Sequence, residues 1–188
     1  MRIIRAAEHR VMPWKNGGGT TTEIAVSPAG ASMENFDWRV SMAHVGQDGP
    51  FSSFPGIDRT LSVLSGSGIR LAFDSETVTL DRSSPPFFFA ADRAVDGLLT
   101  AGPIDDLNVM SRRGRWSHAV ERLAGPTEHR VAAERGLLLL VAPEGGWSVD
   151  GEALAAGDSA LVEGPAEIAC AATAAVAALY AIRLAPAA

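Results

Sequence analysis

The sequence predicts an all-β chain folded as a barrel or sandwich, and three observations predict it. Short runs rich in β-branched and aromatic residues recur between turn signals. No long amphipathic helical pattern competes with them. The order of strand, glycine turn, short hairpin and further strand occurs twice, in "VLSGSGIRLAFDSETVTLD" and again in "LLVAPEGGWSVDGEALAAGDSALVEGPAEI". That repetition is one of pattern rather than identity.

Taken in order, "TTTEIAV" after Gly19 alternates and is β-branched, so it reads as a strand. "WRVSMAHV" (Trp38 to Val45) runs into "GQDGP", and "RTLSVLS" (Arg59 to Ser65) runs into "GSG". "IRLAF" stops at "DSE", and "TVTL" stops at the proline-containing "DRSSPP". In the second half "LLLLVA" (Leu137 to Ala142) precedes "PEGG", and "WSV" meets Asp150-Gly151, a strong tight-turn pair. "SALV" and "LYAIRL" follow. The alanines of "CAATAAVAALYAIRL" favour helix, but Val176, Leu179, Tyr180 and Ile182 favour strand, so its last part is expected to be a strand. The expected seam is "RLAGPTEHR", Arg122 to Arg130, broken at Gly125-Pro126. This gives an N-terminal lobe over 1–121, carrying the candidate pocket, and a C-terminal lobe over 122–188.

At 188 residues and 47% hydrophobic, the chain can bury a substantial core. A formal charge of −6 argues against a nucleic-acid partner, which calls for a basic face. No apolar run reaches the ~20 residues that a membrane span needs without charge, and the start "MRIIRAAEHRV" lacks a secretory pattern. A cytoplasmic protein without a membrane partner is therefore expected. The single cysteine, Cys170, lies in an apolar run and reads as a buried structural thiol.

The stretch "WKNGGGTTTEI" is no phosphate loop, because Lys15 precedes the glycines and a strand rather than a helix follows. A dinucleotide fingerprint fails as well, with Thr22 where a third glycine belongs. Two readings remain. Lys15 or Asn16 faces a ligand at the mouth of the first barrel, with the glycines allowing close backbone approach and offering N–H donors. Alternatively, the glycines make a tight turn into the next strand.

A strand running into "VLSGSG" and then another strand resembles the middle of a cupin barrel motif. In metal-binding cupins, histidines spaced HxH and a glutamate precede that glycine. Counted back from Gly66, the glutamate position falls on Arg59 and the histidine positions on Ser52 and Phe54. His9, His44, His118 and His129 show no ligand spacing. Neither a metal nor another cofactor is expected. "PWKNGGGTTTEI", "FDWRVSMAHVGQDGPFSSFPGIDRTLSVLSGSG" and "PIDDLNVMSRRG" are together similar to the HutD/Ves family of bicupins. That resemblance covers most of the chain and is strongest from Met12 to Arg113. It implies two jelly-roll (double-stranded β-helix) lobes in one chain. It also implies association with histidine utilisation, with urocanate or a formylated glutamate as suggested ligand and no established catalysis.

The candidate site residues follow. Arg59 sits at the inward-facing cupin position, where a buried guanidinium must meet an anion or an internal acid such as Asp106 or Glu23. Trp38 and Arg39 are neighbours on a strand and face opposite ways. Trp38 is expected inside as a flat wall, or as plain core, and Arg39 outside. Ser52 is expected to hydrogen-bond a ligand; no nucleophile elbow surrounds it. In "DDLNVMSRR", Asp106, Asn108, Met110 and Arg112 share a face, and the first two are expected to line the cavity. The leading expectation is a metal-free cupin that binds a small anionic metabolite through Lys15, Asn16, Trp38, Ser52, Arg59, Asp106 and Asn108, and modulates histidine utilisation. The alternatives are a lyase or isomerase acting on a small carboxylate, with His44 or Asp106 as base, and a non-catalytic scaffold whose exposed sheet surface serves a homodimer or a protein partner.

Overall fold

A computed structural model describes residues 1–173 and 178–187. The described residues are β-strands and turns with one 3-10 turn at Ala6–Glu8 and no α-helix. In chain order the strands are β1 (Arg2–Ile4), β2 (Arg10–Pro13), β3 (Gly19–Ser27), β4 (Trp38–Val45), β5 (Gly49–Pro50), β6 (Ile57–Ser65), β7 (Ile69–Ala72), β8 (Thr77–Leu80), β9 (Phe87–Ala90) and β10 (Asp96–Leu99). They continue as β11 (Ile104–Arg112), β12 (Trp116–Ala124), β13 (His129–Ala133), β14 (Leu137–Val141), β15 (Trp147–Val149), β16 (Glu152–Leu154), β17 (Ser159–Glu163), β18 (Ala166–Ala172) and β19 (Ala178–Pro186). Leu179, Tyr180 and Ile182 lie in β19 as expected, while Val176 lies outside the described residues.

The chain forms two compact units, Arg10–Arg115 and Met1–His9 with Trp116–Ala188. The first holds a six-stranded sheet, β2-β3-β4-β11-β6-β9, and a four-stranded sheet, β5-β10-β7-β8. The second holds β1-β17-β14-β19-β12 and β13-β18-β15-β16. All pairings among the described residues are antiparallel. Each unit is a two-sheet jelly roll of the cupin kind.

The unit boundary differs from the expected seam at Arg122. Strand β12 pairs along its whole length with β19, from Trp116↔Pro186 to Ala124↔Ala178, so the chain changes unit before Trp116. The first residues join the second unit because β1 pairs with β17. The Asp150-Gly151 pair makes the expected hairpin: both residues have positive φ, 48° and 84°, and Val149 pairs directly with Glu152. Positive φ at both central positions is the type I′ geometry that matches strand twist.

Strands β6 and β11 are buried on both faces along most of their length. Each has a sheet neighbour on either side, and their opposite faces carry different chemistry. Thr60, Ser62, Leu107 and Val109 are on one face; Arg59, Leu61, Asp106 and Asn108 are on the other. One apolar cluster in this unit, built on Leu61, Val63, Ile69, Leu71, Phe73, Phe89 and Ile104, is solidly packed.

Candidate functional site

Strand parity brings the polar residues together. On β4, Arg39, Ser41, Ala43 and Val45 point to the same side; on β11, so do Asp106, Asn108 and Met110. Met110 pairs with Arg39 on one side and Arg59 on the other; Asn108 pairs with Ser41 and Leu61. All of these side chains except Leu61, which is packed in the core, floor a cavity of about 750 Å³. Its walls are largely apolar, from Met12, Trp14, Phe51 and Phe54, a composition typical of small-molecule sites.

Arg59 and Asn108 are diagonal neighbours on adjacent strands, which sets their contact. The Arg59 Nε–H donates to Asn108 Oδ1 at 2.8 Å, and Nη2 donates to the same oxygen. The Asn108 amide nitrogen donates in turn to Asp106 Oδ1. Asn108 is thus a neutral bridge between a buried cation and a buried acid, and its orientation is fixed because only its oxygen can accept from a guanidinium. The guanidinium carbon of Arg59 lies 4.6 Å from the Phe51 ring centre and 5.7 Å from that of Phe89. No protein acceptor among the described residues serves its Nη1.

Burial is the main influence on both charges. It pushes Arg59 down to about 10, with Asp106 opposing and Arg39 adding to the fall, so Arg59 remains a cation at neutral pH. It pushes Asp106 up to about 6, with Arg59 and the Asn108 hydrogen bond opposing. The second oxygen of Asp106, Oδ2, is buried and has no hydrogen-bond partner among the described residues. Unmet buried acceptors are costly and uncommon.

Of the residues expected at the site, Arg59, Asp106 and Asn108 form the floor, while Lys15, Asn16 and Ser52 line the mouth and are exposed. Trp38 does not line the cavity. The parity of β4 puts it on the opposite face with Val40, where it is 5% exposed, and puts Arg39 inside instead. Arg39 donates from Nε to Glu23 Oε2 at 2.7 Å and from Nη1 to Ser41 Oγ at 3.2 Å. Glu23 therefore serves Arg39 and not Arg59. The missed signal is that Ser41 and Ala43, small enough to leave a cavity, share the parity of Arg39. His44 also lies off the cavity, exposed, with Nδ1 2.9 Å from Asp105 Oδ1, so it cannot act as a base there.

The glycines serve the chain rather than a guest. Gly17 turns with φ 71°, its N–H donates to the Trp14 carbonyl at 3.1 Å, and the Gly18 N–H donates to Asn16 Oδ1 at 3.0 Å. A Cβ on Gly19 would sit 2.1 Å from the His44 carbonyl oxygen, and one on Gly18 2.5 Å from the Gln47 side chain. The turn reading holds, and the expected offer of N–H donors to a ligand is corrected, because the Gly17 and Gly18 N–H groups are already engaged.

The metal site common among cupins does not fit these residues. The three counted positions carry an exposed hydroxyl at Ser52, a phenyl ring at Phe54 and a cation at Arg59, a set that offers no anionic or imidazole donor. Among the described residues no three His, Cys, Asp or Glu side chains are grouped to hold a metal.

The sequence model of the HutD family matches residues 6–180. This chain belongs to the HutD family. A protein from the hutC 3′ region of Pseudomonas putida is 33% identical over 138 residues, 73% of this chain and 72% of its own length. Protein Ves of Citrobacter koseri is 35% identical over 156 residues, 80% of this chain and 78% of its own. The structure of HutD from Pseudomonas fluorescens SBW25, solved in a formate condition, is 32% identical with a TM-score of 0.85, covering 100% of this chain and 99% of that one. A cupin 2 conserved barrel domain protein from Leptotrichia buccalis shares the fold, with a TM-score of 0.58 at 10% identity, over 93% of this chain and 95% of its own. Among the described residues no helix is long and apolar enough to cross a membrane.

Proposed function

We propose that this chain binds a small carboxylate metabolite of histidine breakdown at Arg59, without metal or catalysis, and that occupancy of the site modulates histidine utilisation in the cytoplasm. The observation that carries the reading is a guanidinium, 8% exposed, on the floor of a cavity, whose hydrogen bonds go to a neutral amide. A buried cation so placed calls for an anionic guest, and its fork suits a carboxylate. The apolar walls match the hydrocarbon body of such a guest. Urocanate and N-formylglutamate are the candidates, given the family and the hutC neighbourhood of one relative.

The test is calorimetric titration of both acids into the parent, Arg59→Ala and Arg59→Lys. Loss of a desolvated two-point contact costs about 2–5 kcal/mol, so Arg59→Ala should bind at least ~30-fold more weakly. Arg59→Lys should recover only part of that, since an ammonium lacks the fork. Equal affinity in a folded Arg59→Ala, checked by its melting curve, would remove the site from Arg59. Consumption of either acid by the parent would favour the lyase or isomerase reading, with Asp106 as its base.

A further inference from the structure

We infer that the cavity takes up a monocarboxylate together with one proton, and that Asp106 is the residue that holds the proton. This rests on the reading of the cavity as a carboxylate site and names the charge class of its guest, which favours urocanate over N-formylglutamate, a dicarboxylate.

The charges around the floor can be counted strand by strand. Strand β3 contributes Glu23 and β4 contributes Arg39; they meet at 2.7 Å and cancel. Strand β6 contributes Arg59 and β11 contributes Asp106, joined only through Asn108. Asp105, next along β11, faces the other way, half-exposed and bonded to His44 and Ser65. At the mouth, Lys15 and Asp48 are both exposed to solvent. The floor therefore carries one unshared cation and one unshared acid, both buried.

A guest carboxylate that settles on Arg59 puts a second negative charge beside the same guanidinium. Two carboxylates that share one buried cation disfavour each other's ionisation, and the less firmly held one is driven toward its protonated form. The guest gains the unused donor at Arg59 Nη1. Asp106 has one oxygen held by the Asn108 amide and another, Oδ2, with no hydrogen-bond partner among the described residues; the Ala43 backbone N–H is the smallest influence favouring its anion. Asp106 is thus the less firmly held anion and takes a proton from solvent. Its carboxyl already sits at about 6 before a guest arrives, because burial outweighs the help of Arg59. A guest that shares Arg59 weakens that help and drives the carboxyl higher. With Asp106 neutral the floor has a net charge of +1, which one carboxylate matches. A second carboxylate on the guest would find only Lys15, exposed at the mouth.

The sign of the pH dependence follows. At about pH 5 Asp106 is protonated with or without a guest, so binding takes up no proton. Above about pH 6 the free site is ionised and the occupied site is not. Binding then takes up as much as one proton, and Kd rises by up to tenfold per pH unit.

The experiment is calorimetry on the full chain with formate and benzoate as monocarboxylates and glutarate as a dicarboxylate. Titrations at pH 7.2 in Tris and in Bis-Tris, whose ionisation heats differ, count the protons, and a Kd series from pH 5.5 to 8 gives the slope. The expected result is uptake of about half to one proton at pH 7.2, falling towards zero at the acid end. Benzoate should bind at least ~10-fold more tightly than glutarate. Asp106→Asn should lose both uptake and slope and bind benzoate at pH 7.2 as tightly as the parent does at pH 5.5. If Arg59-dependent binding of benzoate or formate shows buffer-independent heats and a flat Kd, the proton inference is wrong and the carboxylate reading stands. If glutarate binds more tightly than both, the monoanion class is wrong. If the parent binds neither monocarboxylate, or Arg59→Ala binds them equally, the carboxylate reading fails and takes the inference with it. Should Asp106→Asn not fold, the buffer dependence of the parent decides alone.

Discussion

In the unit spanning Arg10–Arg115, the cavity face of the larger sheet carries Arg39, Ser41, Arg59, Asp106 and Asn108. In the other unit, the corresponding strands of the larger sheet contribute Leu138, Leu140, Ala160, Val162, Leu179 and Ala181 to one apolar cluster with Trp147, Val149, Ile168 and Cys170. Both units stack a larger sheet and a four-stranded sheet. In one, polar side chains hold a cavity open between layers; in the other, aliphatic ones close it. The backbone plan does not distinguish a binding barrel from a structural one. The residues at a few inward positions do: they leave a cavity in one unit and a packed apolar cluster in the other.

The largest effect should come from opening the filled unit. Trp147 is 1% exposed at the centre of that cluster, and its ring lies 5.8 Å from that of His129. Trp147→Ala leaves a large void and should cost about 3–5 kcal/mol, read as a lower midpoint in guanidinium unfolding. Affinity for benzoate at Arg59, measured in mild conditions where the variant stays folded, should not change. A cost under ~1 kcal/mol would mean that this unit is not packed as a solid core.

The converse change closes the open unit. Arg59→Met with Asp106→Leu replaces a buried cation and acid by apolar groups, giving the first unit the chemistry of the second. Replacing buried charges with well-packed apolar residues is often neutral or stabilising by ~1–4 kcal/mol. The double variant should therefore unfold no earlier than the parent and bind no carboxylate. A double variant that falls apart would show that the polar floor is needed for folding.

Much of this contrast was legible in the sequence. In "DDLNVM" polar and apolar residues alternate on β11, so Asp106 and Asn108 could be placed on one face without coordinates. Arg59 followed from the resemblance to the cupin motif, counted back from Gly66, which has a φ of 83° and follows the end of β6. The orientation of β4 was not legible. Trp38, Arg39, Val40 and Ser41 are all buried, so neither face announces itself as the inner one. What fixes the face is pairing across β3, where the register shifts between Glu23 and Ala25 and leaves Glu23 beside Arg39. The unit boundary was hidden for a related reason. Strands β1 and β12 are assigned by partners far along the chain, β17 and β19, and local turn signals carry no trace of such pairings.

A smaller effect should separate the glycines that were read together. Gly19→Ala drives a Cβ against backbone, the His44 carbonyl, which cannot step aside; Gly18→Ala meets only the flexible end of Gln47. Gly19→Ala should cost about 1–3 kcal/mol, within the range of overpacking, and Gly18→Ala clearly less. Melting temperatures of the two variants, compared side by side, check this, and the reverse order would break the turn geometry described for the β2–β3 hairpin.

The smallest effect is expected at Lys15, the one sequence-predicted cation that the structure leaves at the rim. Its ammonium is exposed while the guanidinium of Arg59 is buried, and the two should therefore behave differently toward the same anion. An exposed charge acts through water and is worth about 0–1 kcal/mol, and its field is screened over ~8 Å at physiological salt. Lys15→Ala should weaken benzoate binding by no more than ~threefold at low salt, and the difference should vanish by ~0.5 M salt. The Arg59→Ala defect should persist under the same salt, because a desolvated contact is poorly screened. Titrations of both variants at two ionic strengths make the comparison. A salt-resistant loss at Lys15 equal to that at Arg59 would mean that the side chain folds inward over the guest, making the rim part of the site.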